Sequence, residues 1–375
     1  MIYLDYNATT PVAPEVAKAM QPFLGPEFGN PSCDYPLGLR ARDAMHQARL
    51  EVAALLNCGP DEVVFTSGAT EANNMVLKGV ALSRGSGRII TAATEHLAVL
   101  APCRFLASRC FEVVVLPVDS QGLVDPEAVR RALTPNTILI SIMHANNETG
   151  ALAPLKEIAA VALEAGVPLH TDAAQSVGKV KVDVEELGVD FLTVAGHKFY
   201  APKGVGALCI RRGRELTPLL HGASQEGGRR PGTENLPYMV ALGEACRLAR
   251  KRQTADAAHL KGLRDLLHEK LKAGFPGLVL NGPEAERLPS TLNVSFPGIS
   301  GAELMAGVPE VAASLGSACH AGQESISPVL AAMGVSAEIA RGAVRFSVGR
   351  PTTREEVEEA ARLLVAQGCV LAAKR

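Results

Sequence analysis

The chain has 375 residues, of which 47% are hydrophobic and 20% are charged, so it is long enough for one large domain and a smaller one. Its formal net charge is -2, and no run of basic residues is interleaved with aromatic ones. The balance of charge therefore argues against nucleic acids and anionic membranes as partners.

Signals for export, membrane insertion and metal binding are missing from the sequence. The N-terminus has no basic region followed by an apolar one, and no stretch approaches about 18 uninterrupted apolar residues. The eight cysteines form neither a C-x-x-C pair nor a cluster at zinc spacing. We therefore expect a cytoplasmic protein with reduced cysteines and no metal site.

Short β-branched runs alternate with helical patterns in the first two thirds of the chain. The predicted strands are residues 63–65, 88–90, 113–116, 137–140, 168–170, 191–194 and 207–210. Apolar strands of this length, separated by helices such as residues 155–165, are typical of a mostly parallel sheet covered on both faces. We predict an α/β large domain over residues 15–255, with ligands outside the carboxyl ends of its strands.

The pattern changes after a predicted helix at residues 237–250. A second helix at 257–273 is followed by strands at 278–280, 291–295 and 343–348. A last amphipathic helix begins at the capping-box pattern of residues 353–356. Residues 256–375, together with 1–14, are predicted to form a smaller α+β domain.

Three segments that follow predicted strands carry groups able to bind or react. The small-residue turn at 66–71 could bind a phosphate at a helix N-terminus, although a plain helix cap is the commoner use of such a turn. Asp172 could pair with a protonated pyridine nitrogen or cap the next helix. Lys198 could form a Schiff base or be a surface lysine.

Two more strands end in polar residues. His96 could stack on a cofactor ring and exchange protons near neutral pH, and Asn147 could hydrogen-bond a phenolic oxygen. Each also has a structural explanation. Because all these residues follow strands of one predicted sheet, their convergence favours a common site.

Ordered motifs along the whole chain resemble one enzyme family. They are residues 5–10 (DYNATT), 29–32 (GNPS), 66–71 (TSGATE), 146–150 (NNETG), 171–175 (TDAAQ), 196–198 (GHK), 232–235 (GTEN), 316–319 (GSAC) and 345–350 (RFSVGR). Together they resemble the cysteine desulfurases, which belong to the class V, fold-type I enzymes that use pyridoxal 5'-phosphate. The resemblance implies that fold, with a mostly parallel sheet in the large domain, and that cofactor.

The resemblance also implies how the cofactor and the substrate are held. Lys198 would bind the cofactor covalently, Asp172 would pair with its ring nitrogen, and His96 would stack on the ring and move protons. The remaining implied contacts are Gln175 and Asn147 at the phenolic oxygen, Ala69, Thr70 and His197 at the phosphate, Thr233 reaching the phosphate from the second subunit of a homodimer, and Arg345 at the substrate carboxylate, to which Asn147 also lies close.

Cys319 would be the nucleophile of the implied reaction. Its thiolate would attack the sulfur of L-cysteine, leaving alanine and a persulfide on the enzyme for a sulfur acceptor protein in thio-cofactor or iron–sulfur biosynthesis. A thiol with a reference pKa of about 8.5 needs a neighbouring base or positive charge to be mostly thiolate at neutral pH.

Other activities remain open from the sequence. Tyr35 and Ala195 stand where desulfurases often have a histidine and a phosphate-binding serine, and they resemble the selenocysteine lyase branch. That branch would act on L-selenocysteine with the same residues and deliver selenium. A class V aminotransferase or C–S lyase that does not use Cys319, and a silent cofactor-binding protein, are further alternatives.

Overall fold

A computed structural model describes residues 1–315 and 326–374 of the chain. Its strands are β1 (Ile2–Tyr3), β2 (Val63–Thr66), β3 (Arg88–Ala92), β4 (Glu112–Leu116), β5 (Thr137–Ser141), β6 (Leu169–Asp172), β7 (Phe191–Ala195), β8 (Gly206–Ile210), β9 (Val279–Leu280), β10 (Thr291–Ser295), β11 (Val311–Ala312) and β12 (Ala343–Ser347).

The helices lie between these strands and at the end of the described chain. They are α1 (Pro14–Met20), α2 (Pro36–Leu56), α3 (Ala69–Arg84), α4 (Leu97–Ala107), α5 (Pro126–Ala132), α6 (Leu155–Ala165), α7 (Val184–Leu187), α8 (Leu236–Gly274), α9 (Gly301–Ala306), α10 (Pro328–Ala332), α11 (Ala337–Arg341) and α12 (Arg354–Ala373). None of these helices is long and apolar enough to cross a membrane.

The central sheet has seven strands in the order β2-β8-β7-β6-β5-β3-β4. Strands β4, β3, β5, β6 and β7 run parallel, whereas β8 is antiparallel to both β7 and β2. Most residues of its inner strands are buried, as expected for a sheet covered by helices on both faces. The prediction of an α/β fold with a mostly parallel sheet is confirmed.

A second, antiparallel sheet follows in the order β12-β10-β9 and packs with α12 and the C-terminal half of α8. The predicted strand at 291–295 is confirmed, and α12 begins with the expected capping box at Thr353 and Glu356. The two predicted helices at 237–250 and 257–273 are one continuous helix. The mostly polar residues that join them, 251–256, include neither glycine nor proline, so nothing there ends the helix.

Helix α8 packs closely on α2. A Cβ added at Gly243 would lie 2.6 Å from the Cα atom of Ala48, so only glycine allows this approach of the two backbones. Among the clusters of buried side chains in the described residues, the largest packs against the central sheet and the second largest includes Leu260 and Phe346. In the N-terminal segment, Leu4 belongs to the second cluster and Tyr6 to the first. The division at residue 255, with 1–14 in the smaller domain, stays a prediction.

Candidate active site

A cavity of about 600 Å³ opens at the carboxyl ends of the central strands, within the usual size range of small-molecule sites. Most of the residues predicted from the sequence line it, namely Ala69, Thr70, His96, Asn147, Asp172, Gln175, His197, Lys198 and Arg345. Thr233 is exposed and does not line the cavity of its own chain. Cys319 lies outside the described residues.

The turn between β2 and α3 forms one end of the cavity. Gly68 precedes the helix with a φ of 148°, a backbone conformation that side chains rarely adopt, and no side chain caps the helix there. The first N–H groups of a helix have no partner within it. Since α3 has 16 residues and begins at Ala69 beside the cavity, it offers those groups and the positive end of its dipole to an anion.

Lys198 ends a short 3-10 turn, Gly196–Lys198, directly after β7. Its Nζ atom donates hydrogen bonds to the main-chain carbonyl oxygens of Asn7 at 2.6 Å and Ala8 at 2.8 Å. Burial and, next, the nearby charge of Arg345 lower the pKa of its amine from the ordinary 10.5 to about 8. About a tenth of this amine is therefore unprotonated at pH 7, and the unprotonated form is the one that a nucleophilic lysine requires.

Asp172 ends β6 and is only 5% exposed. Its Oδ2 atom accepts a hydrogen bond from Nδ2 of Asn73 at 2.7 Å, and its Oδ1 atom accepts one from the N–H of Ala174 at 2.9 Å. Donors of this kind stabilise a carboxylate. Asp172 can therefore pair with a cationic nitrogen inside the cavity.

His96 occupies the cap position of α4, and its Nδ1 atom accepts a hydrogen bond from the N–H of Ala98 at 3.1 Å. In the neutral ring, the proton must then be on Nε2. Burial lowers the pKa of His96, Asp172 opposes this effect, and Lys198 adds to it. His96 is thus mainly neutral at pH 7 and can both accept and donate protons.

His197 lies beside Lys198 and is held by the N-terminal segment. One of its ring nitrogens, Nδ1, is 3.2 Å from Oγ1 of Thr9. Burial and the charges of Lys198 and Lys203 lower the pKa of His197 to about 4. It therefore faces the cavity as a neutral group.

Arg345 lies on β12, and only 5% of it is exposed. Its Nη2 atom donates to Oδ1 of Asp5 at 2.7 Å, and Nη1 donates to the main-chain carbonyl of Asn147 at 3.0 Å. Its Nε atom has no hydrogen-bond partner within residues 1–315 and 326–374. A buried guanidinium that lines the cavity is suited to bind a carboxylate.

Several residues of the site were not predicted individually. Asp5, Asn7 and Ala8 belong to the DYNATT motif, but the sequence assigns them no role, and only the fold brings them to Lys198 and Arg345. Asn73 lies on α3 one turn after Thr70, which is the only hint that it faces the site. In the described parts of the chain, no group of three or more His, Cys, Asp or Glu side chains could hold a metal ion.

The family model for aminotransferase class V matches residues 2–360 of the chain. Over 360 residues, the chain is 46% identical to cysteine desulfurase IscS of Dictyoglomus turgidum (strain DSM 6724 / Z-1310), covering 95% of this chain and 91% of that protein. A solved NifS-like protein has 36% identity and a TM-score of 0.91, with 99% of each chain covered. A structure described as SspA in complex with cysteine has 38% identity and a TM-score of 0.84, covering 94% of this chain and 100% of that one.

The chain belongs to the class V aminotransferases, and within them to the cysteine desulfurase family. Enzymes of this family use pyridoxal 5'-phosphate. The chemistry of the cavity fits this group. The start of α3 suits its phosphate, the Asp172 carboxylate suits its ring nitrogen, and the Lys198 amine suits its aldehyde.

Proposed function

We propose that the protein is a cysteine desulfurase that converts L-cysteine to L-alanine and leaves a persulfide on Cys319. In this reaction the C–S bond of cysteine breaks, its sulfur joins the Cys319 sulfur, and hydrogen replaces it on the carbon. The observation that carries the proposal is the Lys198 amine, half-buried in a cavity with Asp172 and Arg345 and with a pKa of about 8. Membership of the desulfurase family supports it.

Lys198 would hold the cofactor and then move protons at its Nζ atom. When bound, pyridoxal 5'-phosphate supplies an electron sink that stabilises negative charge at the substrate carbon. A lysine with an ordinary pKa would be almost fully protonated at pH 7 and could not accept a proton. The lowered pKa of Lys198 lets it accept one and return it, with the carbonyl oxygens of Asn7 and Ala8 as partners of the protonated form.

Arg345 would bind the carboxylate of the substrate. Asp5 and the Asn147 carbonyl hold its two terminal nitrogens, so the guanidinium is fixed before substrate arrives. The positive charge of this guanidinium beside the cavity favours a substrate that carries a carboxylate, as an amino acid does. The solved SspA structure contains cysteine, which supports the choice of cysteine as substrate.

The sequence left selenocysteine open as an alternative. Ala195 lines the cavity with a methyl group, whereas Tyr35 is exposed at the start of α2 and does not line it. The Dictyoglomus turgidum relative is named a cysteine desulfurase. We therefore propose cysteine as the main substrate, with selenocysteine lyase activity as the second candidate.

The quaternary structure and the location in the cell also remain proposals. We expect a homodimer in which Thr233 of each subunit reaches the phosphate site of the other, and its exposure outside its own cavity supports this role. Sedimentation equilibrium should show a dimer at assay concentrations, and a fully active monomer would contradict it. An acceptor protein for the sulfur and the cytoplasmic location stay predictions.

The products formed from cysteine test the proposed function. With a thiol reductant present, purified enzyme should release alanine and sulfide in equal amounts. Pyruvate with ammonia would instead indicate a C–S lyase, and cysteine-dependent amination of a keto acid would indicate an aminotransferase. The same assays with selenocysteine in place of cysteine compare the catalytic efficiency of the enzyme on the two substrates. Catalytic efficiency more than tenfold higher for selenocysteine than for cysteine would overturn the choice of cysteine.

A further inference from the structure

Lys179 is a buried lysine outside the cavity that the active-site roles above do not use. It follows Gln175 by four residues in the turns after β6, and only 7% of it is exposed. Its Nζ atom donates to Oε1 of Gln175 at 2.8 Å and to Oδ1 of Asn7 at 3.0 Å. A buried lysine is unfavourable unless its amine is well partnered, and here both partners are side-chain amides.

The contact with Lys179 fixes which way the amide of Gln175 points. The Nε2 atom of Gln175 donates to the main-chain carbonyl of Asn7 at 3.0 Å. If the amide were flipped, Oε1 would face that carbonyl oxygen, and Lys179 would lose its acceptor. The observed orientation uses one N–H of Nε2 and leaves the other for a ligand in the cavity that Gln175 lines.

The contact between Lys179 and Asn7 fixes a second amide. Asn7 is 1% exposed, and its Nδ2 atom donates to Oγ1 of Thr291 at 2.9 Å and to the carbonyl of Asn147 at 3.2 Å. With Oδ1 held by Lys179, every polar atom of this side chain has a partner. The main-chain carbonyl of Asn7 is the same oxygen that accepts from Lys198.

We propose that Lys179 is a positioning residue of the active site, which orients Gln175 so that its amide N–H faces the cofactor and orients Asn7 so that its carbonyl meets Lys198. The proposal rests on the assignment of the cavity as the pyridoxal-phosphate site. Lys179 acts through these two residues, because it does not itself line the cavity.

The surroundings of Lys179 disfavour its charged form. Burial, followed by the charges of Lys198 and Arg345, lowers its pKa well below the ordinary value. A neutral amine has two N–H donors, which matches the two amide oxygens that it meets.

The visible absorbance of the resting enzyme tests the proposal in the absence of substrate. A hydrogen bond from Gln175 favours the ionised phenolic oxygen of the cofactor. Lys179→Met removes both hydrogen bonds that Lys179 donates while keeping its apolar stem, so Gln175 is no longer held in position. The midpoint of the pH titration of the visible absorption band should then rise by about 0.5–1 unit, as expected for the loss of the one hydrogen bond from Gln175 to the phenolic oxygen. The cofactor dissociation constant should rise by about 2–10-fold for the same reason.

Lys181→Met is the matched control, because Lys181 is an exposed lysine two residues away whose amine pairs with Glu186. Lys181→Met should leave both the titration midpoint and the cofactor dissociation constant unchanged. A lower melting temperature for Lys179→Met, with the titration midpoint and dissociation constant of wild type, would show a merely structural role and overturn the proposal. Wild-type enzyme without a visible band would instead refute the cofactor assignment itself.

Two further variants make the test independent of how well Lys179→Met folds. Lys179→Gln keeps a polar donor but is one atom shorter and reaches at most one acceptor, so a smaller shift in the same direction is expected. In a Gln175→Ala background, replacement of Lys179 should move the midpoint by less than half as much as in wild type. No shift in Lys179→Gln, or fully additive shifts in the double variant, would contradict action through Gln175.

Discussion

The lowered pKa of Lys198 makes a quantitative prediction for the cofactor-free protein. Capture of pyridoxal 5'-phosphate needs the unprotonated amine. At pH 7, a pKa of about 8 leaves about 10% of the amine free, whereas a pKa of 10.5 would leave only about 0.03%. The structure therefore makes Lys198 about 300-fold more available at pH 7 than an exposed lysine.

Stopped-flow absorbance after mixing cofactor-free protein with pyridoxal 5'-phosphate measures this availability. The capture rate should rise about tenfold per pH unit below pH 8 and level off above it, because the amine is then fully unprotonated. Lys198→Met provides the control and should develop no protein-bound visible band. A rate that keeps rising to pH 10 without a break would refute the argument.

The same assay separates burial from charge as causes of the low pKa. Burial is the larger cause and Arg345 the next, while Asp5 acts in the opposite direction. Arg345→Gln removes the positive charge and leaves Asp5 unpaired, so the break should move to higher pH. Asp5→Asn should move it to lower pH. Shifts in the reverse directions would show that these charges do not control Lys198.

Two further variants address substrate and cofactor binding. Arg345→Lys keeps a positive charge beside Asp5 but loses the planar guanidinium. The KM for cysteine in steady-state assays should therefore rise by about 10–100-fold, as for the loss of a charged hydrogen bond. An unchanged KM would place the substrate carboxylate elsewhere. Asn73→Ala removes the hydrogen-bond donor to Asp172 and should raise the cofactor dissociation constant by about tenfold. Equilibrium dialysis measures this constant, and an unchanged value would contradict the prediction.

The central strands could be predicted because each is a short β-branched run between helical segments. Helix α2 gives a weak sequence signal, because its buried face consists largely of small residues such as Gly38, Ala41 and Ala48, which are weak markers of a hydrophobic stripe. Helix α8 was divided in two because its polar middle resembles a loop, although no residue there ends a helix.

The residues around the cavity could be predicted where they directly follow strands of the sheet, as Asp172 and Lys198 do. The residues that hold these side chains in place through hydrogen bonds could not be predicted. Asn7 meets Lys198 across 191 positions of sequence. The contact of Lys179 with Asn7 likewise becomes evident only when the N-terminal segment is folded against the turns after β6. A buried polar side chain gives no sequence signal that names its partner.

The persulfide on Cys319 is the central claim about the reaction. Enzyme mixed with one equivalent of cysteine, without reductant, should form about one alanine per site, and mass spectrometry should find one added sulfur atom on the peptide that contains Cys319. Cys319→Ala should keep the visible band of the bound cofactor and form almost no alanine. Alanine formation at the wild-type rate by Cys319→Ala, or added sulfur on another cysteine only, would contradict the account.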